Sequence, residues 1–272
     1  MYIYNWNLSY TGDATNRLNY LFSLFKKETI CILEEVTPDH YHKLCSIFSD
    51  ANIEYSLDYR KPGKYDTKQR QLGVCIITSK DIEILNAKCL ERCLLPDRTL
   101  LVDIKVNSNE LRVMGLHSIT GCDHKKAKSI QFLSFAEAID EYKPDIVAFD
   151  ANEPEVDHYD VEQMTFFKGN RDKGMGAKTF FCSLGQHELY DSYVMHYDSI
   201  DYVEGEPLVV SHVINGEINR RYDFVFTNRY VVNNKYLYKE AVEVGSDHAL
   251  IEVEIELWKS MDTVEYQRLN KV

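Results

Sequence analysis

The chain carries no Cys-x-x-Cys pair, and its seven cysteines, an odd number, follow no regular spacing. Cys31, Cys75 and Cys182 sit in apolar or aromatic runs, as small buried hydrophobes do. That pattern speaks against a disulfide framework and reads as free thiols in a reducing compartment. The opening MYIYNWNLSY lacks a basic stretch followed by an apolar core, so it does not read as a signal peptide. No uninterrupted apolar run approaches the roughly 20 residues that span a bilayer. The chain is therefore expected in the cytoplasm, with no membrane partner. Positive charge is also scarce: 31 Lys and Arg stand against 43 Asp and Glu, a net charge of −12. Broad electrostatic adhesion to nucleic acid or to anionic membrane is disfavoured. An enzyme acting on nucleic acid is not, because a carboxylate-rich site can hold cations that offset its charge. Internal repeats, low-complexity tracts and linkers are absent as well. The expectation is one domain over 1–257, a tail over 258–272, and a monomer by default.

What is present is a globular pattern, 44% hydrophobic over 272 residues, enough to bury a sizeable core. Tyr2 to Leu8 reads as a strand. Asp13 can cap a helix with Leu18, Leu21, Phe22 and Phe25 on one face. Thr29 to Leu33 is a buried strand that delivers Glu34 and Glu35 at its end. Thr37 caps a second helix, with Pro38 at its first position and Tyr41, Leu44, Cys45 and Phe48 as its stripe. Lys61 to Arg70 reads as an exposed basic loop and Leu72 to Thr78 as a strand. Thr99 to Val106 and Leu111 to His117 flank a polar turn as a hairpin. A helix over 123–142 leads through Pro144 to the apolar strand ending in Asp150. Leu208 to Ile214 and Ile218 to Phe226 are joined by Asn215-Gly216, a strong hairpin signal. Leu250 to Leu257 alternates as a strand with one polar face. Helices between strands in the first half, with hairpins in both halves, suggest two mixed sheets packed together with helices outside.

Polar residues collect at strand ends. Asn7, Glu35, His117, Asp150 and Asn152 each close a strand; Asp223 opens one; Asp247 and His248 precede one. Each alone has a plain reading as a turn, a cap or a core histidine. Together they occupy the kind of position where sites are built on a rigid sheet. A carboxylate beside a carboxamide, as in Asp150 and Asn152, suits an oxygen-loving cation and an attacking water or phosphate oxygen.

Six short motifs occur in order from residue 5 to residue 251. They are NWN at Asn5 to Asn7, LEEV at Leu33 to Val36, GLHS at Gly115 to Ser118, FDAN at Phe149 to Asn152, RRYDFVF at Arg220 to Phe226, and GSDHALI at Gly245 to Ile251. The set resembles the endonuclease/exonuclease/phosphatase superfamily, whose members are similar to DNase I and to abasic-site endonucleases. The resemblance implies a DNase I-like α/β fold, a four-layer α/β/β/α sandwich with two mixed sheets face to face. It implies a metal-dependent phosphoric ester hydrolase using Mg²⁺, with Mn²⁺ as the alternative ion. Glu35 would hold the metal, with Asn7 beside it and Asp247 completing its surroundings. Asp150 would orient or deprotonate the attacking water, and Asn152 would hold that water or a phosphate oxygen. His248 would serve the scissile phosphate, with its tautomer fixed by Asp223. His117 would contact a non-bridging phosphate oxygen.

Two departures stand out. Abasic-site endonucleases carry a tyrosine where this chain has Gln71, and a glutamine is frequent where it has Glu34. Gln71 can donate to phosphate but cannot act as a phenolic acid; Arg70 is the nearby cation. The basic, Gly-rich stretch from Lys168 through Arg171 and Lys173 to Lys178 reads as a substrate loop or, equally, as a solvated surface loop. Arg60, Lys61, Lys64, Lys68 and Arg70 would line the opposite rim. Tyr65, Phe166, Phe167, Phe180 and Phe181 can stack on bases, though packing is the commoner use of such rings. The substrate expected first is DNA, cut as an endonuclease or exonuclease. RNA, nucleotides and phospholipid head groups remain alternatives, as does an inactive relative that binds a partner through the same cleft.

Overall fold

The computed structural model describes residues 1–61, 71–120, 125–167, 174–181, 187–196 and 202–260. The first half runs β1 (Tyr2–Asn7), α1 (Thr15–Leu24), β2 (Thr29–Val36), α2 (Pro38–Ile47), β3 (Asn52–Tyr55), α3 (Ser56–Tyr59), β4 (Gly73–Thr78), β5 (Ile82–Lys88), β6 (Thr99–Val106), β7 (Asn109–His117) and α4 (Lys125–Tyr142). The second half runs β8 (Ile146–Asp150), α5 (Met175–Phe181), β9 (Tyr190–Asp191), α6 (Ser192–His196), β10 (His212–Ile214), β11 (Ile218–Arg220), β12 (Asp223–Thr227), β13 (Arg229–Leu237), α7 (Tyr238–Glu243) and β14 (Leu250–Ser260).

Two six-stranded sheets form, ordered β13-β14-β1-β2-β4-β3 and β5-β6-β7-β8-β12-β9, with β10-β11 as a separate ribbon. Each large sheet is mixed: β1 and β2 are parallel, as are β7 and β8, among antiparallel neighbours. Period-two alternation sorts the side chains into three cores. Ile3, Ile32, Val74, Val113, Ile146, Ala148 and Val225 meet between the sheets. Tyr4, Trp6, Cys31 and Leu33 face outward onto Leu18, Leu21, Leu44 and Phe48 of α1 and α2. Met114, Leu116, Phe149, Phe224 and Phe226 face the other way, onto Phe132 and Phe135 of α4 and Phe180 and Phe181 of α5. Three cores between four layers are the expected α/β/β/α sandwich.

The sheets approach closely where β7 carries Gly115. A Cβ there would lie 2.7 Å from Val74 Cγ1 and 2.8 Å from Ile32 Cγ2. Thr37 caps α2 through a bond from His40 N at 3.1 Å, with Pro38 at the first position as expected. The Asn215-Gly216 turn has φ of 53° and 73°, the left-handed pair a tight hairpin turn needs.

Several local expectations change. Helix α1 begins one residue later, with Ala14 at its cap, while Asp13 accepts from Thr15 N at 2.8 Å. Phe22 of α1 and Ile130 and Leu133 of α4 are exposed, so both apolar stripes are narrower than their sequences suggest. The strand expected from Leu208 begins only at His212, and the one expected over 218–226 breaks at Arg221 and Tyr222. Strand β14 runs on to Ser260, past the expected boundary at residue 257. The loop expected over 168–178 becomes helical from Met175, because Gly176 lets α5 pack against Ser129 of α4. Strands β3, β5 and β13 had no clear sequence pattern. No helix among the described residues is long and apolar enough to cross a membrane.

Candidate active site

The inward-facing residues change character at one end of the inter-sheet core. Beyond Ile3, Ile32, Val113, Ala148 and Val225 the same rows continue as Asn5 and Asn7, Glu34, His117, Asp150 and Asp223, all buried. Registers bring them together: Asn7 pairs with Glu34, His117 with Asp150, and Asp150 with Asp223. His248 sits just before β14 and is lashed to β1. Trp6 Nε1 donates to His248 O at 3.0 Å, and Ser246 Oγ donates to Asn7 O at 2.9 Å.

Glu35 reaches the same mouth by a different route. Strict alternation would place it on the outer face with Cys31 and Leu33. Instead the β2–β4 register shifts between Leu33 and Val36, and Glu35 adopts φ 55°. A bulge of this kind re-aims a side chain without ending the strand. Glu35 Oε2 accepts from Tyr10 N at 2.9 Å. The loop carrying Tyr10 is itself held by the buried Arg17 guanidinium, which donates to the carbonyls of Leu8, Ser9 and Thr11.

Asp150 is the most heavily bonded carboxylate of this polar cluster. Its Oδ2 accepts from Asn7 Nδ2 at 2.9 Å and from Asn152 Nδ2 at 3.2 Å, and its Oδ1 accepts from Asn152 N at 2.9 Å. Asn152 turns back to make these contacts with φ 50°, and its amide also donates to Ser118 O at 3.0 Å. Burial first, with Asp223 adding to it against the pull of His248, pushes the Asp150 carboxyl up to about 7. Glu34 lies beneath, fully buried, and neither of its oxygens has a hydrogen-bond partner among the described residues. Burial, then the charges of Asp223 and Asp150, hold its carboxyl well above the usual range.

The two histidines are opposites. His248 Nδ1 lies 2.9 Å from Asp223 Oδ2, and Ser211 Oγ accepts from the Asp223 backbone at 3.2 Å. Burial alone would lower this imidazole, but Asp223 and Asp150 outweigh it and raise it well above its ordinary value. His117 is held well below its ordinary value by burial, then by Arg98 and His248. Arg98 Nη1 lies 2.8 Å from its Nδ1 and 3.3 Å from its Nε2. That nitrogen lies 3.6 Å from Glu35 and 3.8 Å from Asp150. Its Nε2 thus faces the two carboxylates at the mouth.

Three positioning residues gave no strand-end signal. On α4, Gln131 Nε2 donates to His117 O at 3.1 Å and its Oε1 accepts from Ile119 N at 2.9 Å. One turn earlier, buried Lys128 donates to Asn152 O at 2.6 Å and lies 3.4 Å from Glu153. Arg221, in the RRYDFVF motif, is buried between Asp191 at 2.6 Å and Asp157 at 3.6 Å; Tyr236 beside it donates to Asp223 O at 2.8 Å. The signal in the sequence is the i, i+3 spacing of Lys128 and Gln131, which puts both on one buried face of α4.

The donors fit a hard divalent cation. Carboxylate oxygens dominate, Glu35 keeps one oxygen toward the mouth, and Asp150, Asp223 and His248 offer ligand atoms within 4.8 Å of one another. The exposed Asp247 also offers a ligand atom, within 4.8 Å of His212 and His248. Gln71 lines a cleft beside the mouth with Tyr10, Asp13, Asp39, His40 and Lys43. Lys178 lies in α5 and pairs with Glu162 at 3.1 Å. Arg70, Lys168, Arg171 and Lys173 fall outside the described residues, as do Lys64, Tyr65 and Lys68. Phe166, Phe180 and Phe181 are core residues and Phe167 is half-buried.

No family model matches the chain, and no curated protein matches it. Solved structures do. A D. rerio TDP2 complexed with single strand DNA product is 14% identical, covering 94% of this chain and 98% of that one, with a TM-score of 0.65. An endonuclease/exonuclease/phosphatase from Bacteroides vulgatus is 16% identical over 94% and 98%, with a TM-score of 0.63. The endonuclease domain of TRAS1, a telomere-specific non-LTR retrotransposon, is 15% identical over 95% and 99%, with a TM-score of 0.58.

Proposed function

From the DNase I-like fold of the endonuclease/exonuclease/phosphatase superfamily, which this chain has, we propose that it is a divalent-metal-dependent phosphodiesterase acting on nucleic acid, with DNA as the first substrate. The observation that carries the reading is the convergence of Asp150, Asp223 and His248, whose ligand atoms lie within 4.8 Å of one another at one mouth. A His248–Asp223 pair that holds its proton faces an Asp150 carboxyl tuned to about 7. A general base works best when its pKa lies near the working pH, and an adjacent cationic imidazole can donate to developing phosphate charge.

In this reading Asp150 takes the proton of the attacking water, held in line by Asn7 and Asn152. His248 donates from Nε2 to a phosphate oxygen, and Asp223 keeps Nδ1–H in place. His117 faces Glu35 and Asp150 and would contact a non-bridging phosphate oxygen. Glu35, with Asn7 and Asp247 nearby, would hold Mg²⁺ or Mn²⁺, which would supply charge stabilisation at the phosphate and a lowered water pKa. The single strand DNA in the similar TDP2 complex favours single-stranded or frayed DNA over intact duplex as the first substrate to try. The acidic balance of the chain and Gln71 in place of a tyrosine keep small phosphodiesters as the second reading.

The test is cleavage by the purified chain of plasmid, single-stranded DNA, RNA and a generic phosphodiester, each with Mg²⁺ and with EDTA. Metal-dependent cleavage that Asp150→Ala abolishes is expected. Equal rates with EDTA, or an Asp150→Ala variant as active as the parent, would overturn the proposal.

A further inference from the structure

A third histidine stands at the mouth. His212 opens the β10–β11 ribbon, and its ring centroid lies 4.4 Å from that of His248, tilted by 31°. Its Nδ1 lies 3.0 Å from Asp247 O. A carbonyl only accepts, so that nitrogen carries the proton and Nε2 keeps its lone pair. His248 is committed in the same way, with Nδ1 held by Asp223. Metal-bound histidines are held like this, by a carbonyl or carboxylate on the nitrogen that does not bind the ion. Asp247 is exposed, and His212, Asp247 and His248 each offer a ligand atom within 4.8 Å of the others.

We propose that His212, Asp247 and His248 form a second metal site, a two-histidine, one-carboxylate set for a borderline transition-metal ion such as Zn²⁺, whose occupation shuts the phosphodiesterase site. Imidazole nitrogens with one carboxylate suit Zn²⁺, and water completes the coordination. Mg²⁺ prefers oxygen donors and keeps its waters, so it competes poorly here. An ion at this rim takes the His248 nitrogen that would face the phosphate, and the Asp247 carboxylate with it. The shut-off rests on the proposed function; the binding does not.

The experiment uses the full chain, stripped with EDTA, dialysed, and titrated with Zn²⁺ in excess Mg²⁺ by calorimetry. Co²⁺ absorption then reports the donor atoms. One tight Zn²⁺ is expected, with nitrogen and oxygen donors and no thiolate charge-transfer band. Losing an outer partner alone costs a metal site 10–100-fold, so His212→Ala and Asp247→Asn should each weaken the tight Zn²⁺ by at least about 100-fold. His212→Asn serves if the alanine variant melts early. The Mg²⁺-supported rate should fall as the tight site fills. Equal Zn²⁺ affinity in parent and variants, or a thiolate band, overturns the site. Tight binding that depends on His212 but leaves the rate unchanged overturns the shut-off. Tight binding in a chain with no Mg²⁺-dependent cleavage upholds the site and sinks the phosphodiesterase reading.

Discussion

The inter-sheet interface has two ends built from the same strands, and they obey opposite rules. At one end β1, β2, β7, β8 and β12 present Ile3, Ile32, Val113, Ile146 and Val225; at the other they present Asn7, Glu34, His117, Asp150 and Asp223. The change takes one or two steps along each strand. Burying an aliphatic side chain contributes about 1.5–3 kcal/mol, whereas a buried polar group costs free energy unless it is bonded. The apolar end therefore holds the sandwich together. The polar end must be held in place by it, with Gln131, Lys128, Trp6, Ser246 and Arg17 bonding the backbone around the site. Stability and chemistry share strands but not positions. Substitutions at the two ends should separate into those that move Tm and those that move kcat.

The sharpest separation should come from Asp150→Asn. Loss of a general base removes roughly 10²–10⁴-fold of rate, so kcat should fall by about 10³. Stability should move the other way. The folded carboxyl sits at about 7 against 3.8 ordinarily, so its contribution is complete below the ordinary value and lost as pH rises toward 7. At 1.36 kcal/mol per unit, the loss above pH 7 is up to about 4 kcal/mol. Denaturant melts in EDTA should show the asparagine variant matching the parent near pH 4 and exceeding it at pH 8. A variant less stable than the parent at pH 8 would remove the distinction between the two ends.

Asp223→Ala should have the next largest effect. The carboxylate holds His248 by Nδ1 and is the leading cause of its raised value. Turnover should drop by roughly 10–100-fold, the range for removing a carboxylate behind a working histidine, with little change in KM. The basic limb of the pH–rate profile should move to lower pH, since less charge then retains the imidazole proton. An unmoved limb with only KM raised would show that Asp223 serves binding instead.

Much of the polar end was legible because parallel β1 and β2, and parallel β7 and β8, finish on the same side, so strand-end polar residues converge. Asn7, His117 and Asp150 follow from that rule; Asp223 and His248 stand at the starts of antiparallel strands, which lie beside those ends. Glu35 does not: alternation alone points it outward, and only the bulge at Leu33 to Val36 brings it in. Arg98, Lys128 and Gln131 lie on a turn and a helix, where no strand-end rule finds them; Lys128 and Gln131 bond backbone carbonyls of other segments, and Arg98 bonds the His117 ring. Strand β13 was illegible because Asn233 and Asn234 interrupt its apolar positions, and a further irregularity shifts its register near Val231. A helical stripe also says which residues can face a core, not which do, as exposed Ile130 and Leu133 illustrate.

At the apolar end, Gly115→Ala should cost stability and spare chemistry. The added methyl meets Val74 and Ile32 under 3 Å, in the middle of two facing sheets that cannot separate locally. Overpacking of this kind costs about 1–3 kcal/mol. A shift of the denaturation midpoint with kcat nearly unchanged is expected. A kcat loss larger than the stability loss would mean that the spacing of the sheets sets the site directly.

The smallest effect should come from Glu34→Gln, and it tests what the buried acid is. The Glu34 carboxyl lies at the polar end with no hydrogen-bond partner among the described residues, and its surroundings favour the protonated form. A neutral amide of the same shape then changes little at working pH, within about 0.5 kcal/mol of transition-state stabilisation. Its raised value also means that the carboxyl loses stability as pH climbs above its ordinary range, a loss the amide cannot suffer. In EDTA the variant should therefore gain on the parent between pH 5 and pH 8. The opposite case has a clear signature. If Glu34 ionises when a cation binds, its charge helps hold that cation. Glu34→Gln would then raise the Mg²⁺ concentration needed for half-maximal rate by about tenfold for each 1.4 kcal/mol of attraction lost. An unchanged Mg²⁺ requirement leaves Glu34 as a buried acid beneath the site that takes no part in holding the metal.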